Sequence, residues 1–390
     1  MKNCVNLCME NLTIGFDAKR AVCNNTGLGN YSRLVIDVLS DALPDANLRL
    51  YSPVRKENER LDPLLKKDNV RLVTPSEVSG KLFPSLWRVG GGIIRQLKAD
   101  GVGLFHGLSN ELPLDISRSR IPSVVTIHDL IFLRLPYCYR KVDRMIYDYK
   151  FRKACENATR IIAISKCTRR DLVYLYDLEP EKIDIVYQGC DPQFSLPVDD
   201  AVKAEVKRIY GLPENYIVAV GTVEQRKNQM QAIKALAGLP KDFSLVIVGG
   251  HNRSYYRSLV TEISRLRLGE RVKFLSGVPF RYLPAIYAGA CFSSYTSKYE
   301  GFGIPVIEAL SCGVPVLAAK YSCLEEAGGD GALYVDPYLV DDYVDKAKSL
   351  LFDSDLRERL VMEGKSHISQ FTSQNFASGL LSSYRRALDN

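Results

Sequence analysis

The stretch Tyr299-Glu300-Gly301-Phe302-Gly303-Ile304-Pro305-Val306-Ile307-Glu308-Ala309-Leu310-Ser311-Cys312-Gly313 decides the fold. It follows a short strand run, Cys291–Ser294. Gly301 and Gly303 let a backbone approach a ligand closely. Pro305 suits the first turn of a helix, and Gly313 suits its C-terminal stop. A helix therefore starts near Ile304. Its first amides lie past the end of a strand, and such an end favours anions. Glu308 interrupts an apolar helical run. If buried, its carboxylate needs partners, and polyol hydroxyls would serve. If it faces solvent, it merely sits in the field of the helix. The residues alone leave both readings open.

Outward from this block, strand runs alternate with helical-length segments. In the first half the runs are Leu12–Phe16, Leu48–Tyr51, Arg71–Thr74, Gly103–His106, Ser123–Ile127, Arg160–Ile164 and Ile183–Tyr187. In the second they are Tyr216–Val220, Leu245–Val248, Val272–Leu275, Cys291–Ser294, Val314–Ala318 and Ala332–Val335. Stretches of 3.6-residue periodicity, such as Tyr31–Leu43 and Tyr139–Ala158, separate them. This alternation predicts α/β architecture with parallel sheets covered on both faces. Two series predict two doubly wound, Rossmann-like domains facing a cleft, since ligands bind beyond the carboxyl ends of such strands. The joint is expected in Cys190–Val202, which holds Asp191-Pro192 and Leu196-Pro197. The expected domains are 1–195 and 196–371, with a last helix over 372–390 packing back on the first.

Composition narrows the function. The chain has 390 residues, 46% hydrophobic and 25% charged, so it can bury full cores. No run reaches the ~18 apolar residues of a membrane helix. The start, Met1 to Glu10, lacks an apolar signal core, so the cytoplasm is the expected place. The net charge of +7 is mild, and basic and aromatic residues do not cluster, so nucleic acid is not expected as a partner. The 10 cysteines form no C-x-x-C, and Cys4 and Cys8 are the closest pair. Asp353-Ser354-Asp355 directly precedes a helical stretch, Leu356–Glu363, and reads as an N-cap. No metal site and no cofactor are expected.

Other strand ends carry chemistry. Gly221-Thr222-Val223-Glu224-Gln225-Arg226-Lys227-Asn228 follows Tyr216–Val220. There Arg226 offers a fork and Lys227 a point charge to phosphate. Gly27-Leu28-Gly29 precedes the helix Tyr31–Leu43. The dinucleotide reading wants an acidic residue about 20 positions on, and Leu48–Tyr51 has none. His128 follows Ser123–Ile127. His106 ends the run Gly103–His106, Ser109 and Asn110 follow it, and all three are candidates to line an acceptor site. Ser165 follows Arg160–Ile164, with helix capping as its plainer reading.

The E-x7-E element from Glu300 to Glu308 resembles the signature of retaining glycosyltransferases of the GT-B fold, glycosyltransferase family 4 (group 1). Arg271–Cys291 and Ala319–Pro337 are similar to the family's flanking segments. The resemblance implies metal-independent transfer of a hexose from a nucleoside diphosphate sugar to a glycan or lipid-linked hydroxyl, with the anomeric configuration kept. It implies that Gly27, Gly29, Gly221, Phe302, Gly303 and Ile304 contact the donor and that Glu308 holds its ribose. It sets Arg226 and Lys227 on the diphosphate, and Glu300 and His128 around the transferred sugar. Thr222 departs from the pattern, because many members carry Arg directly after the glycine. GDP-mannose is the first expected donor and a UDP-hexose the second. A same-fold sugar-nucleotide epimerase, or a non-catalytic nucleotide-sugar-binding protein, is the alternative. Polysaccharide or lipopolysaccharide synthesis is the implied setting. Phe83-Pro84-Ser85-Leu86-Trp87-Arg88 is a candidate peripheral contact with the inner membrane face, and an ordinary helix start with Trp87 packed inward is the preferred reading of the segment.

Overall fold

The computed structural model describes residues 11–75 and 82–389; Cys4, Cys8 and the rest of the start read above lie outside them. The chain divides into two compact units. One runs up to Leu133, resumes over Tyr139–Gln188 and takes the chain from Ser373 onward. The other comprises Arg134–Cys138 and Gly189–Thr372.

The first unit is built on a seven-stranded sheet. Its strands are β1 (Thr13–Asp17), β2 (Asn47–Tyr51), β3 (Val70–Val73), β4 (Leu104–Gly107), β5 (Ser123–Ile127), β6 (Arg160–Ala163) and β7 (Ile183–Ile185). They lie in the order β3-β2-β1-β4-β5-β6-β7, with parallel pairing throughout. Strands covered on both faces are apolar without alternation, and every residue of β5 is buried. The helices that matter here are α1 (Gly27–Ala42), α2 (Pro84–Val89), α3 (Lys141–Asn157) and α4 (Lys166–Tyr176). Phe105, Val125, Ile127 and Ile161 form one core with Trp87 and Phe151.

The second unit repeats the plan with six strands. They are β8 (Asn215–Val220), β9 (Phe243–Val248), β10 (Val272–Leu275), β11 (Phe292–Tyr295), β12 (Val316–Ala319) and β13 (Ala332–Val335). The order is β10-β9-β8-β11-β12-β13, again parallel. Its core joins Ile217, Leu245, Phe292 and Leu317 to Ile233 and Tyr343. Two helices bear on the site, α5 (Gln229–Leu236) and α6 (Ile304–Ser311). The last helix, α7 (Ser373–Leu388), belongs to the first unit and buries Phe376, Leu380 and Tyr384 on one face.

The doubly wound parallel architecture expected from the sequence is the one found. One local expectation changes. The helix expected over Tyr31–Leu43 begins at Gly27, so the glycine segment is a helical turn and not a loop. A Cβ on Gly29 would stand 1.8 Å from the Asn24 carbonyl oxygen, and its absence lets the first turn of α1 pack there. Trp87 is buried in α2, as the preferred reading of that segment has it. Asp353 caps the helix Ser354–Ile368, accepting from the Leu356 amide at 2.9 Å.

Tyr384 ties α7 to the sheet. Its hydroxyl is 2.6 Å from Nδ1 of the fully buried His106. Tyr384→Phe leaves that nitrogen unpaired, and urea unfolding is expected to register a loss of about 1–3 kcal/mol. Tyr149→Phe, at an exposed position, is expected to change stability by less than about 0.5 kcal/mol.

Candidate active site

In an open parallel sheet the crevice opens where the strand order reverses. In the second unit that point lies between β8 and β11. The loop after β8 carries Arg226 and Lys227, and the loop after β11 carries Glu300. The two loops are stitched together. The Lys298 amide donates to the Arg226 carbonyl at 2.9 Å, and the Ser297 hydroxyl reaches the same oxygen at 3.2 Å.

Glu300 is buried among donors. Its Oε1 accepts from Lys227 Nζ at 2.6 Å, the Ser297 hydroxyl at 2.6 Å and the Tyr295 hydroxyl at 3.2 Å. Its Oε2 lies 2.7 Å from the Arg226 guanidinium. Lys227 also donates to the Tyr295 hydroxyl. Arg226 pairs further with Glu224 at 2.6 Å and donates to the Tyr299 carbonyl at 3.1 Å. Burial alone would raise the pKa of Glu300, but the Arg226 and Lys227 charges overcome it and bring it down to about 2. Burial pulls Lys227 below its ordinary value, with Glu300 offsetting part of the effect.

Gly221 opens the loop after β8. Gly303 turns the chain into α6 at φ +127, where a Cβ would also meet Leu324 at 2.8 Å. The Cys323 thiol pins this turn by donating to the carbonyls of Glu300 at 3.1 Å and Phe302 at 2.8 Å. Phe302 does not project: its ring is buried 5.4 Å from that of Phe371. Ile304 begins α6. Glu308 lies on the buried face of that helix, so the solvent-face reading gives way to the interior one. Its Oε2 accepts from the Tyr287 hydroxyl at 3.0 Å. Burial lifts its pKa to about 7, against the pull of the Tyr287 bond.

In the first unit, His128 follows β5 and is buried. Its Nε2 donates to the Leu108 carbonyl at 2.9 Å, and burial drops its pKa to about 4. It is thus a neutral hydrogen-bonding group near pH 7. Asn110, at φ +63, accepts from the His128 amide at 2.7 Å and frames that turn. Ser109 is half-buried beside it. His106 does not line an open site: Tyr384 holds one ring nitrogen and Thr126, at 2.9 Å, the other. The reason is its place within β4, where a residue one step short of the strand end points into the core. Gly27 and Gly29 lie in the first turn of α1, as described above. Ser165 caps α4, accepting from the Thr168 amide at 2.9 Å.

Sequence reasoning missed Tyr295, Ser297, Glu224 and Tyr287. The first three were findable, because they end a strand or follow one at the same sheet edge. Tyr287 carries no local signal. Among the described residues no group of three or more His, Cys, Asp or Glu side chains is arranged for a metal ion.

The raised Glu308 pKa has a consequence for stability. The folded state holds this proton more tightly than the unfolded chain, so the associated stability is complete below about pH 4.5 and lost as pH rises to about 7. The loss is on the order of 3 kcal/mol. Glu308→Gln keeps the shape without the charge. Thermal unfolding at pH 5 to pH 8.5 is expected to show the parent falling relative to the variant, and parallel curves would contradict it.

Known proteins resemble this chain in sequence and in fold. Residues 202–367 match the family described as glycosyl transferases group 1, and residues 35–194 match Glycosyltransferase Family 4. O-antigen chain mannosyltransferase B of Escherichia coli is 29% identical over 288 residues, covering 72% of this chain and 74% of that protein. A D-inositol 3-phosphate glycosyltransferase of Nocardia farcinica is 33% identical over 242 residues, 59% of this chain and 53% of that one. In fold the chain is similar to HepE of Anabaena, solved with UDP and glucose, at TM-score 0.74 and 20% identity over 97% of this chain and 99% of that one. The two family matches cover successive segments that together make up most of the sequence, and the chain belongs to the group 1 glycosyltransferases of family 4, retaining and metal-independent enzymes that use nucleotide sugars on a GT-B fold.

Proposed function

We propose that this enzyme transfers a hexose, mannose from GDP-mannose as the first assignment, to a hydroxyl of a glycan or lipid-linked acceptor in polysaccharide or lipopolysaccharide synthesis. The observation that carries this reading is the pair Arg226 and Lys227 held on Glu300 at the strand-order reversal. Without donor, Glu300 is their counter-ion. The incoming diphosphate takes over that part, and the Glu300 carboxylate turns to hydroxyls of the transferred sugar. As the glycosidic bond breaks, negative charge grows on the leaving diphosphate, so fixed cations stabilise the transition state most. The first turn of α6 adds partial positive charge. Glu308 takes the ribose hydroxyls. The leaving phosphate accepts the acceptor's proton on the face it departs from, and the anomeric configuration is kept. The Escherichia coli relative is named a mannosyltransferase, which supports mannose. HepE was solved with UDP and glucose, which supports a UDP-hexose as the second reading.

Arg226→Ala and Lys227→Ala are each expected to lower turnover by about 10²–10³, the scale for losing one transition-state donor. Near-parental turnover in both would remove the diphosphate assignment. Thermal shift against GDP-mannose, UDP-glucose and UDP-galactose decides the donor, with GDP-mannose expected to stabilise most.

We infer also a peripheral contact of the first unit with an anionic membrane face. No helix of the described residues is long and apolar enough to cross a membrane. With Trp87 inside, Phe83 and Leu86 remain exposed. α3 shows a second apolar stripe to solvent, Val142, Met145, Ile146 and Tyr149, at spacings of three and four, with Lys141 beside it. Glu111 joins the two helices, pairing with Arg88 of α2 and Lys150 of α3. Flotation with anionic liposomes at low salt is expected, with loss in Met145→Glu/Ile146→Glu; a parent protein that stays at the bottom removes the idea.

A further inference from the structure

Beside the cationic cluster, the second unit exposes tyrosines for which the mechanism above has no use. The Lys298 amide is bonded to the Arg226 carbonyl, so the Lys298 side chain leaves from the edge of that cluster. Its ammonium lies 5.3 Å from the ring centre of Tyr338 and 5.9 Å from that of Tyr137. Tyr338 is 65% exposed, Tyr137 55% and the neighbouring Tyr321 61%. Lys298 follows β11, Tyr321 follows β12 and Tyr338 follows β13. Three of the four thus stand at the carboxyl edge of one sheet, where ligands bind.

The backbone that carries Tyr321 and Tyr338 is held in place. The Tyr321 amide donates to the Glu325 carboxylate at 3.2 Å, and its hydroxyl reaches Asp336 at 3.4 Å. Asp336 also accepts from the Tyr338 amide at 2.8 Å. Asn228 donates to the Pro337 carbonyl at 2.8 Å, and Gln231 donates to the carbonyls of Asp336 at 2.7 Å and Leu339 at 3.0 Å. The loop after β13 is therefore tied to the residue next to Lys227. Tyr321 has φ +72, a conformation that bulky residues rarely adopt, and holding it there costs on the order of 1–3 kcal/mol. That conformation is kept at a residue whose ring stays in water.

Large exposed aromatic surface is ordinarily withdrawn from water, and a rigid patch of it marks a binding surface. The companions of these rings say what binds. A lipid chain or an apolar peptide gains nothing from an ammonium and a carboxylate set between tyrosines. A pyranose uses both kinds of group: its polarised C–H face lies on the π cloud, and its hydroxyls exchange hydrogen bonds with Asp336, Lys298 and the phenols. We propose that Tyr137, Tyr321 and Tyr338, set around Lys298 and Asp336, form a glycan platform that grips a sugar residue of the acceptor other than the one that receives the hexose. The proposal rests on the transferase reading, and it adds the acceptor class and the surface that holds it.

The test measures sugar binding directly. Protein carrying 3-fluorotyrosine is titrated with α-linked mannotriose and with maltotriose and followed by fluorine NMR. Resonances of Tyr338 and Tyr137 are expected to move with at least one trisaccharide. Tyr137→Ala/Tyr338→Ala is expected to weaken that binding by about tenfold or more. Tyr338→Phe keeps the ring and is expected to stay within about threefold of the parent, which separates ring loss from misfolding. The proposal is overturned if neither trisaccharide moves these resonances at tens of millimolar, or if the double variant binds as the parent does. GDP and UDP binding, measured separately by calorimetry, reports on the donor reading alone: its failure would strike that reading and leave the trisaccharide result standing.

Discussion

One buried carboxylate between two cations is the constraint around which the second unit is organised. Arg226 and Lys227 are drawn out of water by the loops that carry them. A buried ammonium without a counter-ion gives up its proton. Glu300 opposes this, because it stays ionised well below neutral pH and stands within 2.7 Å of both. The strand order makes the arrangement reachable. Loops that leave β8 and β11 diverge from neighbouring strands, and the charges line the gap between them.

The surrounding bonds keep that gap from collapsing or drifting. Ser297, Tyr295 and the Cys323 thiol each fix a different part of the β11 loop. A charge held in advance needs no rearrangement when new charge develops beside it, which is the main source of electrostatic catalysis. The first unit treats its own strand-order reversal differently. There Asp17 ends β1, Glu111 follows β4, and Arg88 of α2 bridges both. One guanidinium shared by two carboxylates is a cross-link between the end of β1 and the loop after β4.

The strands were legible because parallel strands buried on both faces are short runs rich in apolar and β-branched residues, and each expected run falls within two residues of a strand. The start of α1 was not legible. Glycine's poor helix propensity hides a helical turn, and the contact that requires it, with the Asn24 carbonyl, depends on how the chain bends into the helix and leaves no periodic signal. The same holds for His106. A histidine near a strand end reads as a ligand group until Tyr384 arrives from the far end of the chain to occupy it. Glu300, Glu308, Arg226 and Lys227 could be named from their strand-end loops and the family pattern. What they touch could not, since Tyr287 and Glu308 meet only through the packing of two helices.

The two glutamates of the E-x7-E element show why naming residues is not the same as assigning chemistry. Both are buried, and burial pushes both toward the neutral form. Glu300 faces a guanidinium and an ammonium and ends near 2; Glu308 faces a phenol and ends near 7. Burial acts alike on both, so the neighbours make the difference between them. Only Glu300 therefore holds cations that another anion can claim. Glu308 near neutrality can either donate or accept a hydrogen bond, which matches uncharged hydroxyls and not phosphate. Within the proposed mechanism, charge neutralisation and hydroxyl recognition are thus divided between two identical side chains, and the division follows from which loops and helices the fold brings against each.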